Sequence, residues 1–263
     1  MILTILESMW INSFGIMNKK FDTRLICEQI CLANDTWINP LVNEGFPADI
    51  LHVTGSPLFD EYSINSIPQK HHTNFPAKVL LVTSPMNTHG IWSNRRQRDL
   101  VKNIVMEMKK YEQKINFAIK IHPTSENIQF YQEILNDLNL NNKIYQNEKL
   151  AELLKQFDIV LSFGVVGGST LEILYSGLPF VMMNMFVNMQ SYSFIKNKLA
   201  IECSSISKLM ESIEEAIKSE PSRKDLENYF YTFSKPLDGK ASMRIGDVII
   251  STVKRIKDLK LLD

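Results

Sequence analysis

Between residues 77 and 220 the sequence predicts an α/β fold, a parallel sheet covered by helices on both faces. Two observations carry this. Six short apolar runs alternate with segments of helical periodicity and are joined by short loops. The runs are apolar throughout rather than at every second residue, as strands buried on both faces require.

The elements follow in order. "KVLLVTS" (78–84) is a strand, and "SNRRQRDLVKNIVMEMKKYEQK" (93–114) a helix with Leu100, Ile104, Val105 and Met108 on one face. "NFAIKI" (116–121) is a strand and "SENIQFYQEILNDLNL" (125–140) a helix, followed by a short strand "KIYQ" (143–146) and a short helix "NEKLAELLKQF" (147–157). "DIVLSF" (158–163) is a strand, "GGSTLEILYSG" (167–177) a helix and "PFVMMN" (179–184) a strand. A weaker strand "LAIEC" (199–203) leads to the amphipathic helix "SISKLMESIEEAIKS" (205–219). Right-handed crossovers then make a Rossmann-like layer of roughly six parallel strands.

The ends read differently. "RLICEQICLAND" (24–35) fits strand or helix, and "ILHVTGSP" (50–57) is a strand running into a turn, so residues 1–61 hold two strands at most. The stretch 62–76 lacks apolar periodicity, carries two prolines and reads as a linker. Helices are expected at 223–233 and 240–260, the last one capped from outside by Asp238. The expected domains are therefore 1–61, the linker 62–76, a Rossmann-like domain over 77–239 and a C-terminal helix over 240–263 that packs back toward the N-terminal part.

Composition narrows the function. Lys plus Arg and Asp plus Glu both number 29 in 263 residues, so no basic excess exists to drive nucleic-acid binding. Cys27, Cys31 and Cys203 form no disulfide framework and lack the C-x-x-C spacing of redox or zinc sites. Reduced, buried cysteines suit the cytoplasm. The five histidines are scattered, so no metal site is expected. No apolar run is long enough for a membrane span.

Three strand-end segments could carry chemistry. In "SFGVVGGSTLEILYSGLPFV" (162–181) a buried strand ends, glycines permit a tight turn and a helix opens at Ser169–Thr170. Free amides and the helix dipole at such a point suit a phosphate or diphosphate. Gly168 lets the backbone approach, Ser169 and Thr170 add hydroxyls, and Glu172 lies within reach of ribose hydroxyls. The same glycines also suit a plain strand–helix turn, and the string matches neither G-x-G-x-x-G nor G-x-x-x-x-G-K-[ST]. "KIHPTSE" (120–126) places His122 at a strand end, where an imidazole can donate to a phosphate. "TSPMNTHG" (83–90) offers Ser84 at a third strand end. In a doubly wound sheet the carboxyl ends of the strands line one crevice, which would bring these residues together.

"VTGSPLFDEY" (53–62), "KIHP" (120–123), "FDIVLSFGVVGGSTLEILYSGLPFV" (157–181) and "DGKASMRI" (238–245) come in the order found in the C-terminal half of GT-B glycosyltransferases. The set resembles capsule and teichoic-acid enzymes such as CDP-glycerol glycerophosphotransferases, and the related UDP-GlcNAc 2-epimerases. The resemblance implies the GT-B C-terminal nucleotide-binding domain, with 1–61 a remnant or truncated form of the N-terminal domain. His122 would contact the donor diphosphate, Ser169 and Thr170 the phosphates, and Glu172 the ribose. It implies a metal-independent transferase of surface polysaccharide synthesis that takes a nucleotide-sugar or CDP-polyol donor and a glycan or lipid-linked acceptor. No cofactor is implied beyond the donor, and no catalytic base is assigned. The alternatives are a UDP-GlcNAc 2-epimerase-like enzyme and a non-catalytic donor module. A partner subunit would supply the missing N-terminal domain, or the chain would form a homo-oligomer. The expected location is the cytoplasm, free or peripheral at the inner membrane face.

Overall fold

A computed structural model describes residues 3–6, 28–60, 76–164, 167–184, 192–219, 221–232 and 235–260. The chain divides into two compact units, residues 1–67 with 227–263, and residues 68–226. Cys27 and all of the expected linker except Pro76 lie outside the described residues.

The first unit holds β1 (Leu3–Leu6), β2 (Gln29–Leu32), helix α1 (Ile38–Asn43) and β3 (Leu51–Val53). The three strands form a parallel sheet in the order β1-β2-β3. Two strands at most were expected here, because the short runs lack a clear period. Pairing supplies what periodicity did not, and β2, in the middle, is buried along its whole length. Ile30, Leu32, Trp37 and Leu41 make the small core of this layer.

The second unit carries the predicted sheet. Its elements are β4 (Ala77–Val82), α2 (Asn94–Lys109), β5 (Ile115–Lys120), α3 (Ile128–Asp137), β6 (Ile144–Tyr145), α4 (Leu150–Leu154), β7 (Ile159–Phe163) and α5 (Gly168–Ser176). Then come β8 (Phe180–Met183), α6 (Ser193–Lys196), β9 (Ile201–Cys203) and α7 (Leu209–Lys218). All six strands are parallel, in the order β6-β5-β4-β7-β8-β9. The fold is therefore α/β and Rossmann-like, as the alternation of strands and helices predicts. The central strands are apolar because both faces are covered. Val79, Leu81, Ile119, Leu161 and Phe163 share one core with Val101, Ile104, Val105 and Met108 from α2 and with Ile213 from α7.

The strand order sets the position of the site. The chain moves outward from β4 through β5 to β6, then returns to place β7 on the other side of β4. The order thus reverses at β4, and the ends of β5 and β7 flank the end of β4 with room between the connections.

Helices α8 (Arg223–Phe230) and α9 (Ala241–Lys260) close the chain. The first turn of α9 differs from expectation. Asp238 stays outside it, accepting from Lys240 N at 3.2 Å and pairing with Arg244. The amides of Ala241 and Ser242 are instead held by the two carboxylate oxygens of Asp60, at 2.8 and 2.7 Å. Arg244 also donates to Thr54 O at 2.9 Å. The "GSPLFD" turn and the "DGKASMR" segment, distant in sequence, thus form one hydrogen-bonded corner.

Candidate functional site

Three strand ends build the candidate site. The registers Val82↔Lys120 and Val82↔Ser162 put the last residues of β5 and β4 and the penultimate residue of β7 in one row. Two residues further along stand His122, Ser84 and Gly164. Adjacent strands lie about 4.8 Å apart, so the row spans on the order of 10 Å, the scale of a diphosphate with its flanking groups.

The β4 end and the β7 end are pressed together. Gly164 has φ +100°, and a Cβ there would lie 2.5 Å from Ser84 Cβ and 2.8 Å from Ser84 Oγ. Trp92, in the loop after β4, stacks on Phe163 at 6.2 Å between ring centroids. Tyr192 OH donates to Gly164 O at 3.0 Å. Burial, helped by the charge of Glu202, pushes the Tyr192 phenol up, so it remains a donor.

The loop after β5 presents the imidazole. His122, Pro123 and Thr124 are exposed. His122 Nδ1 accepts from the backbone amides of Thr124 (3.3 Å) and Ser125 (3.1 Å). A ring nitrogen that accepts two N–H groups carries no proton, so the neutral ring bears its hydrogen on Nε2. His122 is thereby a donor on the side away from its own backbone.

Beneath this loop lies Lys120, buried at the end of β5. Its Nζ donates to Ile121 O (2.7 Å) and Gln146 O (2.9 Å). Burial lowers its pKa, against the charges of Glu148, Glu126 and Glu172.

Helix α5 opens after Gly167, and a Cβ added to Gly167 or Gly168 would meet no atom within 4 Å among the described residues. Ser169 is exposed, whereas Thr170 is buried and its Oγ1 accepts the Gly167 N–H at 3.3 Å. Ser169 therefore offers a hydroxyl to solvent, and Thr170 fixes the turn. Glu172 is half-buried in the next part of the helix. Ser84, His122 and the Gly168–Thr170 turn thus belong to one edge of one sheet.

Several residues in this arrangement were not singled out by sequence reasoning. Glu126, Gln97, Thr83 and Tyr131 form a buried polar cluster under the loops, and Lys120 sits beside it. A lysine inside the apolar run "NFAIKI" and a glutamate four residues after His122 were the available signals. Asn184, at the end of β8, donates to Glu202 at 2.6 Å. A separate cleft of about 780 Å³ opens at the opposite, amino edge of the sheet, lined by Lys78, Asn116, Lys143 and Asp158 among others. It is lined by none of His122, Ser84, Gly164 and Gly168–Thr170.

No protein-family model matches the chain, and no curated protein matches it by sequence. Solved structures do match. UDP-GlcNAc 2-epimerase from Methanocaldococcus jannaschii, in complex with UDP-GlcNAc and UDP, superposes with a TM-score of 0.52 at 15% identity, covering 95% of this chain and 75% of that one. A second structure of the M. jannaschii enzyme gives 0.52 at 16% identity, with 84% and 62% covered. S. aureus MnaA with UDP gives 0.50 at 14% identity, with 96% and 74% covered. The fold is GT-B-like. The chain spans 62% to 75% of the length of these structures, and at such identities the likeness is one of fold. Among the described residues no helix is long and apolar enough to cross a membrane.

Proposed function

We propose that the chain binds a nucleotide-sugar, or a CDP-polyol, through its diphosphate at the carboxyl edge of the β4–β9 sheet, and serves as the donor-binding part of a transferase of surface polysaccharide or glycan synthesis. The observation that carries this reading is the row of His122, Ser84 and Gly164 beside the opening of α5. Helix amides, an Nε2–H donor and two serine hydroxyls at one sheet edge are suited to a multiply charged phosphate group.

Each residue has a role in this reading. His122 donates from Nε2 to a phosphate oxygen. The first turn of α5 and the Ser169 hydroxyl bind the second phosphate, with Gly168 letting the backbone approach. Thr170 holds that turn in shape. Ser84 lines the floor, and Glu172 accepts from the ribose hydroxyls. Charge develops on the nucleoside diphosphate as it leaves, and preorganised donors at this edge would stabilise it. A glycan or lipid-linked acceptor would approach from the open side.

The solved structures with the same fold include an epimerase bound to UDP-GlcNAc, and this favours a second reading, epimerisation of a UDP-N-acetylhexosamine without an acceptor. Two experiments separate the readings. Calorimetric titration with UDP-, CDP- and GDP-sugars should give saturable binding to at least one, weakened by Glu172→Ala; no heat from any of them rejects donor binding altogether. Incubation with UDP-GlcNAc alone, followed by proton NMR, should leave the sugar unchanged if the chain serves transfer. A new anomeric signal would establish the epimerase.

A further inference from the structure

The proposed site rests on two loops, and one buried carboxylate holds both. Glu126 is 7% exposed, yet it faces four donors. Its Oε2 accepts from His122 N at 2.7 Å and lies 2.6 Å from Thr83 Oγ1. Its Oε1 accepts from Gln97 Nε2 at 3.1 Å and from the Tyr131 hydroxyl through a short contact. A carboxyl group is tolerated in a buried place only when its oxygens are hydrogen-bonded in this way. Burial and the neighbouring Glu126 charge push the Tyr131 phenol up, which keeps it a donor.

The donors come from different parts of the unit. Thr83 lies at the end of β4, Gln97 on α2 and Tyr131 on α3. Gln97 extends the hub into the loop after β4: its Nε2 lies 3.2 Å from Ser84 O, and its Oε1 accepts from Asn87 N at 2.9 Å. On the other side, Gln146 Nε2 donates to Pro123 O (3.2 Å) and Glu126 O (3.0 Å). The segment from His122 to Glu126 is therefore fastened at both ends. Fastening brings the amides of Thr124 and Ser125 against His122 Nδ1, and those amides select the Nε2–H form.

We infer that Glu126 is a positioning residue: it holds the His122 loop against the Ser84 loop and thereby sets the imidazole tautomer that faces the site. It does not touch the ligand itself. The role rests on the donor-binding reading only for its consequence in affinity; the tautomer is a property of the free protein.

The test uses the full chain with nitrogen-15-labelled histidine at about pH 8, where an ordinary imidazole is mostly neutral. In the wild type the His122 ring should show the Nε2–H form. In Glu126→Gln, which keeps the shape and loses two acceptor interactions, the two tautomers should mix. Thr83→Val should produce a smaller change in the same direction, and it serves if Glu126→Gln does not fold. The second readout is UDP binding. Glu126→Gln should weaken it about tenfold, as loss of one hydrogen bond to a charged group does. The double variant with His122→Ala should bind no more weakly than His122→Ala alone. A tautomer unchanged in both Glu126→Gln and Thr83→Val overturns the inference, as does a Glu126→Gln effect on affinity that simply adds to that of His122→Ala. If His122→Ala binds UDP as the wild type does, the donor role of His122 falls, while the tautomer result still decides the role of Glu126.

Discussion

Gly164 and Ser84 meet where β7 and β4 end, so closely that a methyl group on Gly164 would sit 2.5 Å from Ser84 Cβ. The φ of +100° reserves the position for glycine independently of that contact. Sterics and dihedral together explain why the strand must end in glycine here, and the Tyr192 hydroxyl on the Gly164 carbonyl locks the turn.

Gly164→Ala should therefore destabilise the protein by roughly 1–3 kcal/mol, from overpacking and backbone strain combined. Urea unfolding measures it. A midpoint equal to that of the wild type would mean that the two strand ends have room to part.

His122→Ala removes the Nε2–H donor from the edge. The expected loss in nucleotide affinity is about tenfold to a hundredfold, the range for a hydrogen bond to a charged group. Because His122 is exposed, unfolding stability should change little. A fall in stability with unchanged affinity would make the residue structural.

Tyr131 should give the protein an alkaline limit. Burial, with Glu126 beside it, raises its folded-state value above the ordinary 10.0 of the phenol. The folded chain then holds its proton more tightly than the unfolded one, so the contribution is complete below about pH 10 and lost as pH rises above it. Stability followed from about pH 9 to pH 11 should fall less steeply in Tyr131→Phe. Tyr192, raised by burial in the same sense, leaves part of the slope in place. Identical slopes would show that the phenol of Tyr131 titrates alike in both states.

Asp60→Ala should uncap α9. Loss of an N-cap acidic side chain costs about 1–2 kcal/mol, and here two amides lose their acceptor together. Hydrogen exchange at Ala241 and Ser242 should accelerate, and Asp60→Asn should restore part of the protection. Unchanged exchange at both amides would show that another group takes over the cap.

The sheet of the second unit was readable because parallel strands covered on both faces announce themselves as unbroken apolar runs, and each of its six runs became a strand. The short helix Ser193–Lys196 was not visible, since one turn has no period to detect. The first unit was harder. Its strands of three or four residues carry little pattern, and β2 was open to a helical reading. Within the candidate site, His122 and Ser169 were visible as polar residues at strand or helix ends. Glu126 and Gln97 were hidden, because in sequence each looks like an ordinary polar residue near a helix start. Their weight comes from burial, which only packing reveals.

Local chemistry in the chain was enough to specify the alternation of strands and helices, the glycine turn before Ser169 and the strand-end position of His122, since propensity, apolar periodicity and turn residues act over a few neighbours. The order of the strands, the meeting of Ser84 with Gly164, the gathering of four donors on Glu126 and the capping of α9 by Asp60 were decided by tertiary structure alone. Apart from His122 and Tyr131, which lie four and five positions from Glu126, these contacts join residues 29 to 182 positions apart. No local rule reaches that far, because each exists only once the sheets have assembled and brought distant groups to the same edge.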